Sequence, residues 1–140
     1  MTISNGVSQR WAGIMHHDAL VDLERAARTT NVLTVYADTS FQDPAQRHEW
    51  RTRLENGITA LRAGLTDASH ADQASFERSV EELSATLDTV GSSPHAPGWV
   101  AVVTEDGVLY AQGVPGPMPS LVTWKKGMHV SPYLGLLKQQ

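Results

Sequence analysis

Apolar positions recur along this chain at two different spacings, and the switches between them mark out its elements. Leu20, Leu23 and Ala27 are three and four positions apart, which puts them on one face of a helix over Asp18–Ala27. Thr29-Thr30-Asn31 breaks that pattern. Val32-Leu33-Thr34-Val35-Tyr36-Ala37-Asp38 is then β-branched and aromatic, with apolar residues on both alternating sets. A strand of this kind is expected at the centre of a sheet, covered on two sides.

Asp43-Pro44 sets a capping residue before a proline suited to a first helical position, and Gln46 completes a capping-box spacing. Trp50, Leu54, Ile58, Leu61 and Leu65 follow at helical spacing, so a helix is expected over about Pro44–Leu65. Glu49–Arg53 and Arg51–Glu55 are opposite charges four apart, each pair worth about 0.2–0.5 kcal/mol. Gly57 and Gly64 either weaken this helix or let it approach a neighbour closely. Thr66-Asp67-Ala68-Ser69-His70 is a short polar connection. Phe76, Val80, Leu83, Leu87 and Val90 form a second helical stripe, with Gly91 placed to end it. Two long helices with so short a joint are expected to pack as an antiparallel hairpin.

The last third reads as β-structure. Trp99–Thr104 and Val108–Gln112 flank Glu105-Asp106-Gly107, with Asp-Gly expected at the centre of a two-residue turn. Gly113-Val114-Pro115-Gly116-Pro117-Met118-Pro119 is expected to lie outside any regular strand. Leu121–Lys125 is a fourth strand, and Ser131-Pro132 opens a helix through Tyr133-Leu134-Gly135-Leu136-Leu137. The expected fold class is α+β: a mostly antiparallel four-stranded sheet, a long helical hairpin on one face and the shorter helices on the other. Residues 1–17 show no period and are expected to be loosely ordered, with one domain over 18–140. The last helix reaches Lys138-Gln139-Gln140 without a capping signal, so the chain is expected to be the N-terminal part of a longer multidomain protein.

Composition narrows the chemistry. The 140 residues contain no cysteine, which excludes disulfides, thiolate metal sites and a cysteine nucleophile. No apolar run approaches the ~20 residues of a membrane span, and no secretory leader opens the chain, so a cytoplasmic protein with no membrane partner is expected. The net charge of −4 argues against a free-standing nucleic-acid binder. That charge is uneven: residues 44–65 sum to +2 and residues 66–93 to −5. Arg47, Arg51 and Arg62 lie on one side of the first long helix, and Lys125-Lys126 end the last strand. These five are the candidate phosphate contacts; a solvated helix flank and a charged strand end is the competing reading.

Motifs for catalysis are missing: there is no phosphate-binding glycine loop, no Gly-x-Ser-x-Gly and no His-Glu-x-x-His. His16-His17-Asp18 is the densest set of potential metal ligands, but neighbours on an ordered element diverge, and a helix start with Asp18 at the positive end of the dipole fits better. Asp38 ends a strand with no identifiable second carboxylate or base, which fits a turn residue. Tyr36 and Trp50 read as core. No catalytic residue, metal site or cofactor is expected.

The order of elements resembles the N-terminal domain of archaeo-eukaryotic class-1 peptide chain release factors, and more closely that of their bacterial relatives. The stretches that carry the resemblance are Val32–Asp38, Gly98-Trp99-Val100-Ala101-Val102-Val103-Thr104-Glu105-Asp106-Gly107 and Pro132-Tyr133-Leu134-Gly135-Leu136-Leu137, within about residues 18–140. The resemblance implies a domain that enters the ribosomal decoding site, where the tip of the hairpin and a sheet face read a stop codon. A separate domain of such proteins carries a Gly-Gly-Gln loop that promotes peptidyl-tRNA hydrolysis; this chain has no Gly-Gly-Gln. Where the family has Asn-Ile-Lys-Ser, this chain has the tip Thr66, Asp67, Ser69 and His70. Where it has Tyr-x-Cys-x-x-x-Phe, the matching positions are Val122, Trp124 and Met128. An acidic tip without lysine points to ribosome rescue rather than standard termination. The implied function is that of a non-catalytic domain acting at the ribosome, with rRNA and the downstream domains as partners. The alternative is a protein-interaction or dimerisation module with no ribosomal role, and a small enzyme built on Asp38 or the His16-His17-Asp18 set is a further rival.

Overall fold

The computed structural model describes residues 17–40, 48–90 and 96–138. In chain order the elements are α1 (His17–Ala27), β1 (Asn31–Asp38), α2 (Glu49–Gly64), α3 (His70–Val90), β2 (Gly98–Thr104), β3 (Gly107–Val114), β4 (Leu121–Lys126) and α4 (Ser131–Lys138). The four strands form one sheet in the order β3-β2-β1-β4, and every neighbouring pair is antiparallel. The architecture is therefore α+β.

β1 lies inside the sheet, as its two apolar faces require. Leu33 pairs with Val103 on one side and Trp124 on the other. Alternation along the strand sends Leu33, Val35 and Ala37 to one face and Val32 and Tyr36 to the opposite one. On the first face they join Trp50, Leu54 and Ile58 of α2 and Phe76, Leu83 and Leu87 of α3. On the second they join Leu20, Leu23 and Ala27 of α1 and Tyr133 and Leu136 of α4. α2 lies over β4 and β1, and α3 over β2, β3 and β1. Gly57 is where α2 comes closest to β4: a Cβ there would lie 3.0 Å from Val122 Cγ2, while Gly64 has open space around it.

Three boundaries differ from expectation. The regular part of α2 begins at Glu49, with His48 as the residue before it and Thr52 N–H bonded to the His48 carbonyl at 3.3 Å. The expected cap Asp43-Pro44-Gln46, like Gly91 and most of segment 1–17, lies outside the described residues. The β2–β3 turn is shifted by one residue. Thr104 pairs with Gly107, so Glu105-Asp106 make the turn. The Thr104 hydroxyl accepts the Asp106 N–H and donates to the Gly107 carbonyl, each at 3.2 Å, which fixes that register. Gly107 takes φ +146°, and a β-bulge between Val102 and Val103 absorbs the extra residue, Leu109. Finally, Gly113 and Val114 belong to β3, paired with Trp99 and Gly98. The ladder needs donors, and the first residue unable to donate is Pro115.

Candidate functional site: the cleft between α2 and α3

α2 and α3 share a sheet face, and two adjoining clefts open between them. The outer one, about 500 Å³, lies beside their connection and is lined by Arg62, Leu65, Thr66, His70, Phe76 and Glu77. The inner one, about 210 Å³, is bordered by Arg51, Leu54, Ile58, Arg62, Val80 and Leu87. Apolar floors with a few polar groups on the rim are the usual form of a binding site.

The rim is defined by charge. Arg62 makes a two-pronged bridge to Glu77 across the cleft, Nε to Oε2 at 2.7 Å and a second guanidinium N–H to Oε1 at 2.9 Å. This hydrogen-bonded contact holds the Glu77 carboxyl below its ordinary value of 4.5 and raises the Arg62 guanidinium further. The Arg62 guanidinium also lies 5.9 Å from the centre of the Phe76 ring. Both side chains remain about half exposed, so the bridge is a surface one.

Arg51 is in a different state. Its guanidinium lies 5.6 Å from the centre of the Trp50 ring, and its Nε is buried without a hydrogen-bond partner. The expected Arg51–Glu55 pair does not form among the described residues, whereas Glu49–Arg53 does, at 3.3 Å.

The α2–α3 connection is braced rather than loose. Ser69 Oγ accepts the Asp72 N–H at 3.1 Å and so caps α3, with Asp72 in the first turn near the positive end of the dipole. The Gln73 side-chain amide reaches back to the carbonyls of Leu65, Ala68 and Thr66 at 2.9, 3.1 and 3.3 Å. The Thr66 hydroxyl donates to the Ala63 carbonyl at 3.3 Å. Of the expected tip, Thr66 and His70 line the outer cleft, Asp67 is exposed, and Ser69 is used as a cap.

Lys125 and Lys126 are exposed at the end of β4, paired with Val32 and Asn31. Successive strand residues face opposite ways, so Lys125 points to the α1/α4 side and Lys126 to the α2/α3 side. The five candidate cations are therefore not one patch: Arg51 and Arg62 border one cleft, the lysines straddle a sheet edge, and Arg47 lies outside the described residues. Val122 and Trp124 pack beneath α2 and α3, with Trp124 edge-on to Phe76 at 5.4 Å, while Met128 is buried in the opposite core.

Of the other candidates, His16 lies outside the described residues. Asp38 Oδ1 accepts the Ser40 N–H at 3.1 Å and closes β1 as a turn residue. His17 and Asp18 are exposed on α1, and among the described residues no three His, Cys, Asp or Glu side chains gather. Tyr36 and Trp50 are buried, as expected. Gln73 and Glu77 were not singled out in the sequence. Glu77 had a usable signal, since it follows Phe76 of the apolar stripe and so flanks the face turned to α2.

A scan against protein-family models finds no match to the chain, and no curated protein is significantly similar to it.

Proposed function

We propose that this chain is a non-catalytic, release-factor-like N-terminal domain of bacterial type that acts at the ribosome, in rescue rather than standard termination. One observation carries the reading. The order of elements that resembles the release-factor domain folds into one antiparallel sheet, with the two long helices together on one face and the two short ones on the other. The resemblance implies that the hairpin tip and a sheet face read RNA, and the outer cleft lies beside that tip, lined by Thr66 and His70.

Within this reading Arg51 is the principal phosphate contact, because Arg62 is already neutralised by Glu77. The test is co-sedimentation of the chain, and of any longer product of its gene, with bacterial ribosomes in vacant and stalled states at low and high salt. Association at low salt that weakens steeply with added salt is expected. Arg51→Glu should weaken it more than Arg62→Glu. No association in any state overturns the proposal.

The apolar floor of the cleft favours a second reading, a module that docks a partner protein between α2 and α3. Such a complex would persist at high salt, because salt screens charge pairs and leaves apolar burial intact.

A further inference from the structure

Among the described residues, Arg62 is the one side chain that borders both clefts between α2 and α3. Its guanidinium is already engaged. Glu77 reaches across from α3 and holds it with both carboxylate oxygens, at 2.7 and 2.9 Å. A carboxylate held in this two-pronged way offers arginine the same pair of acceptors as a phosphate does. Glu77 therefore fills the place that a phosphate on Arg62 would take. Arg51, on the rim of the inner cleft, has no such guard. Glu55 on the same rim is exposed and does not pair with it, and Arg51 Nε is buried without a hydrogen-bond partner.

We propose, on the reading of this cleft as a phosphate-binding surface, that Glu77 is a built-in competitor. It keeps one half of a two-arginine site closed, so that a chain of phosphates must engage Arg51 first and then displace the Glu77 carboxylate to take Arg62. Arg51 and Arg62 lie roughly 16 Å apart along α2, at 1.5 Å per residue. Each is held beside its own ring, Arg51 at 5.6 Å from the centre of Trp50 and Arg62 at 5.9 Å from that of Phe76. A single phosphate does not reach both, whereas an extended strand does.

The bridge is built to yield. Both of its side chains are about half exposed, where water and salt loosen an ion pair. The Phe76 ring stays beside the guanidinium when the carboxylate leaves, so Arg62 remains poised over the cleft. Glu77, as much as either arginine, then sets how tightly the phosphates are held.

The experiment has two arms. In the first, inorganic pyrophosphate is titrated onto the full chain while the Arg51 and Arg62 Nε–H signals are followed by NMR. Arg51 should respond before Arg62 in the unaltered chain. In Glu77→Gln, Arg62 should respond at a concentration about three- to fivefold lower, the scale of a half-exposed ion pair. Glu82→Gln removes the same charge from the other flank of α3, four residues after the Arg78 that bonds Glu105, and should not reproduce the gain. In the second arm, Glu77→Gln should tighten co-sedimentation with bacterial ribosomes by a similar factor, and adding Arg62→Gln should abolish that gain. An Arg62 response indifferent to Glu77→Gln overturns the competitor, even if the unaltered chain binds ribosomes in a salt-sensitive way. So does a gain that Glu82→Gln matches or that survives Arg62→Gln. The expected Arg62 response, with no ribosome association by any variant, upholds the competitor and overturns the ribosomal reading alone.

Discussion

On the face covered by α1 and α4, the sheet is closed by tyrosines whose hydroxyls all find work inside. On the face under α2 and α3, it is closed by tryptophan, phenylalanine and leucine, and the helices leave clefts between them. Tyr36 donates to the His129 carbonyl, the His129 N–H is taken by Thr34 Oγ1 at 3.2 Å, and the Tyr110 and Tyr133 hydroxyls meet at 3.1 Å. Those bonds staple the segment between β4 and α4 onto β1. Across the sheet, the longer helices bring more apolar surface, but their polar groups sit on a rim open to solvent. The difference separates a face that holds the fold from a face free to carry function.

The largest expected effect tests whether that separation is real. Leu23→Ala, at a fully buried position on the α1/α4 face, should cost about 3–4 kcal/mol in urea unfolding. Ile58→Ala, whose side chain borders the inner cleft and keeps 8% of its exposure, should cost about 2 kcal/mol, because solvent can reach the space left behind. Equal losses would mean that both faces are equally sealed.

A smaller effect should appear at alkaline pH. Burial pushes the Tyr36 and Tyr110 phenols well above their ordinary value of 10. In the unfolded chain they lose protons near pH 10, while the folded chain retains them. Their contribution is therefore complete below pH 10 and declines above it, by up to ~1.4 kcal/mol per pH unit for each phenol. Phenolate absorbance from these two residues should rise together with loss of circular dichroism. Absorbance that rises first would show that the tyrosine face admits water.

The smallest effect belongs to the cleft rim. Glu77→Gln should cost no more than about 0.5 kcal/mol, since the bridge is half exposed and screened by salt. Arg62 depresses the Glu77 carboxyl, so the contribution is present above its ordinary value of 4.5 and disappears as pH falls through the lower folded value. Thermal melts of the two proteins should differ slightly at neutral pH and coincide in strong acid. A difference that persists in acid would mean that Glu77 acts through packing.

Much of this fold was legible because its elements obey simple periods. The run Val32–Asp38 is apolar on both alternating sets, and it lies inside the sheet. The stripe of α1 names the residues it buries, and those of α2 and α3 name most of theirs: Leu61, Leu65, Val80 and Val90 are only partly covered, while Ser75 and Ser79 are buried without belonging to the stripe. What local pattern cannot convey is the choice between local bonds. Asp106-Gly107 is a good central turn pair, yet the Thr104 hydroxyl holds both sides of the turn one residue earlier. Charge in the cleft was also partly hidden. Arg62 looks free when only its own helix is considered, but its partner Glu77 lies 15 positions away on the next helix. The same holds for Arg78, which α3 carries to Glu105 in the β2–β3 turn.

The interior place of β1 has a kinetic side. Among the described residues it is the first strand to leave the ribosome, but Leu33 finds its partners Val103 and Trp124 only roughly 70 and 90 positions later. Until those strands arrive, its two apolar faces have no sheet to join, and only helices can form behind it. Closing such long loops is slow, so folding should be limited by strand pairing, with the nascent chain exposed to misassociation until β4 is made. Substitutions in β1 should then slow folding more than substitutions of equal cost in α1, whose contacts are mostly gathered after the sheet exists.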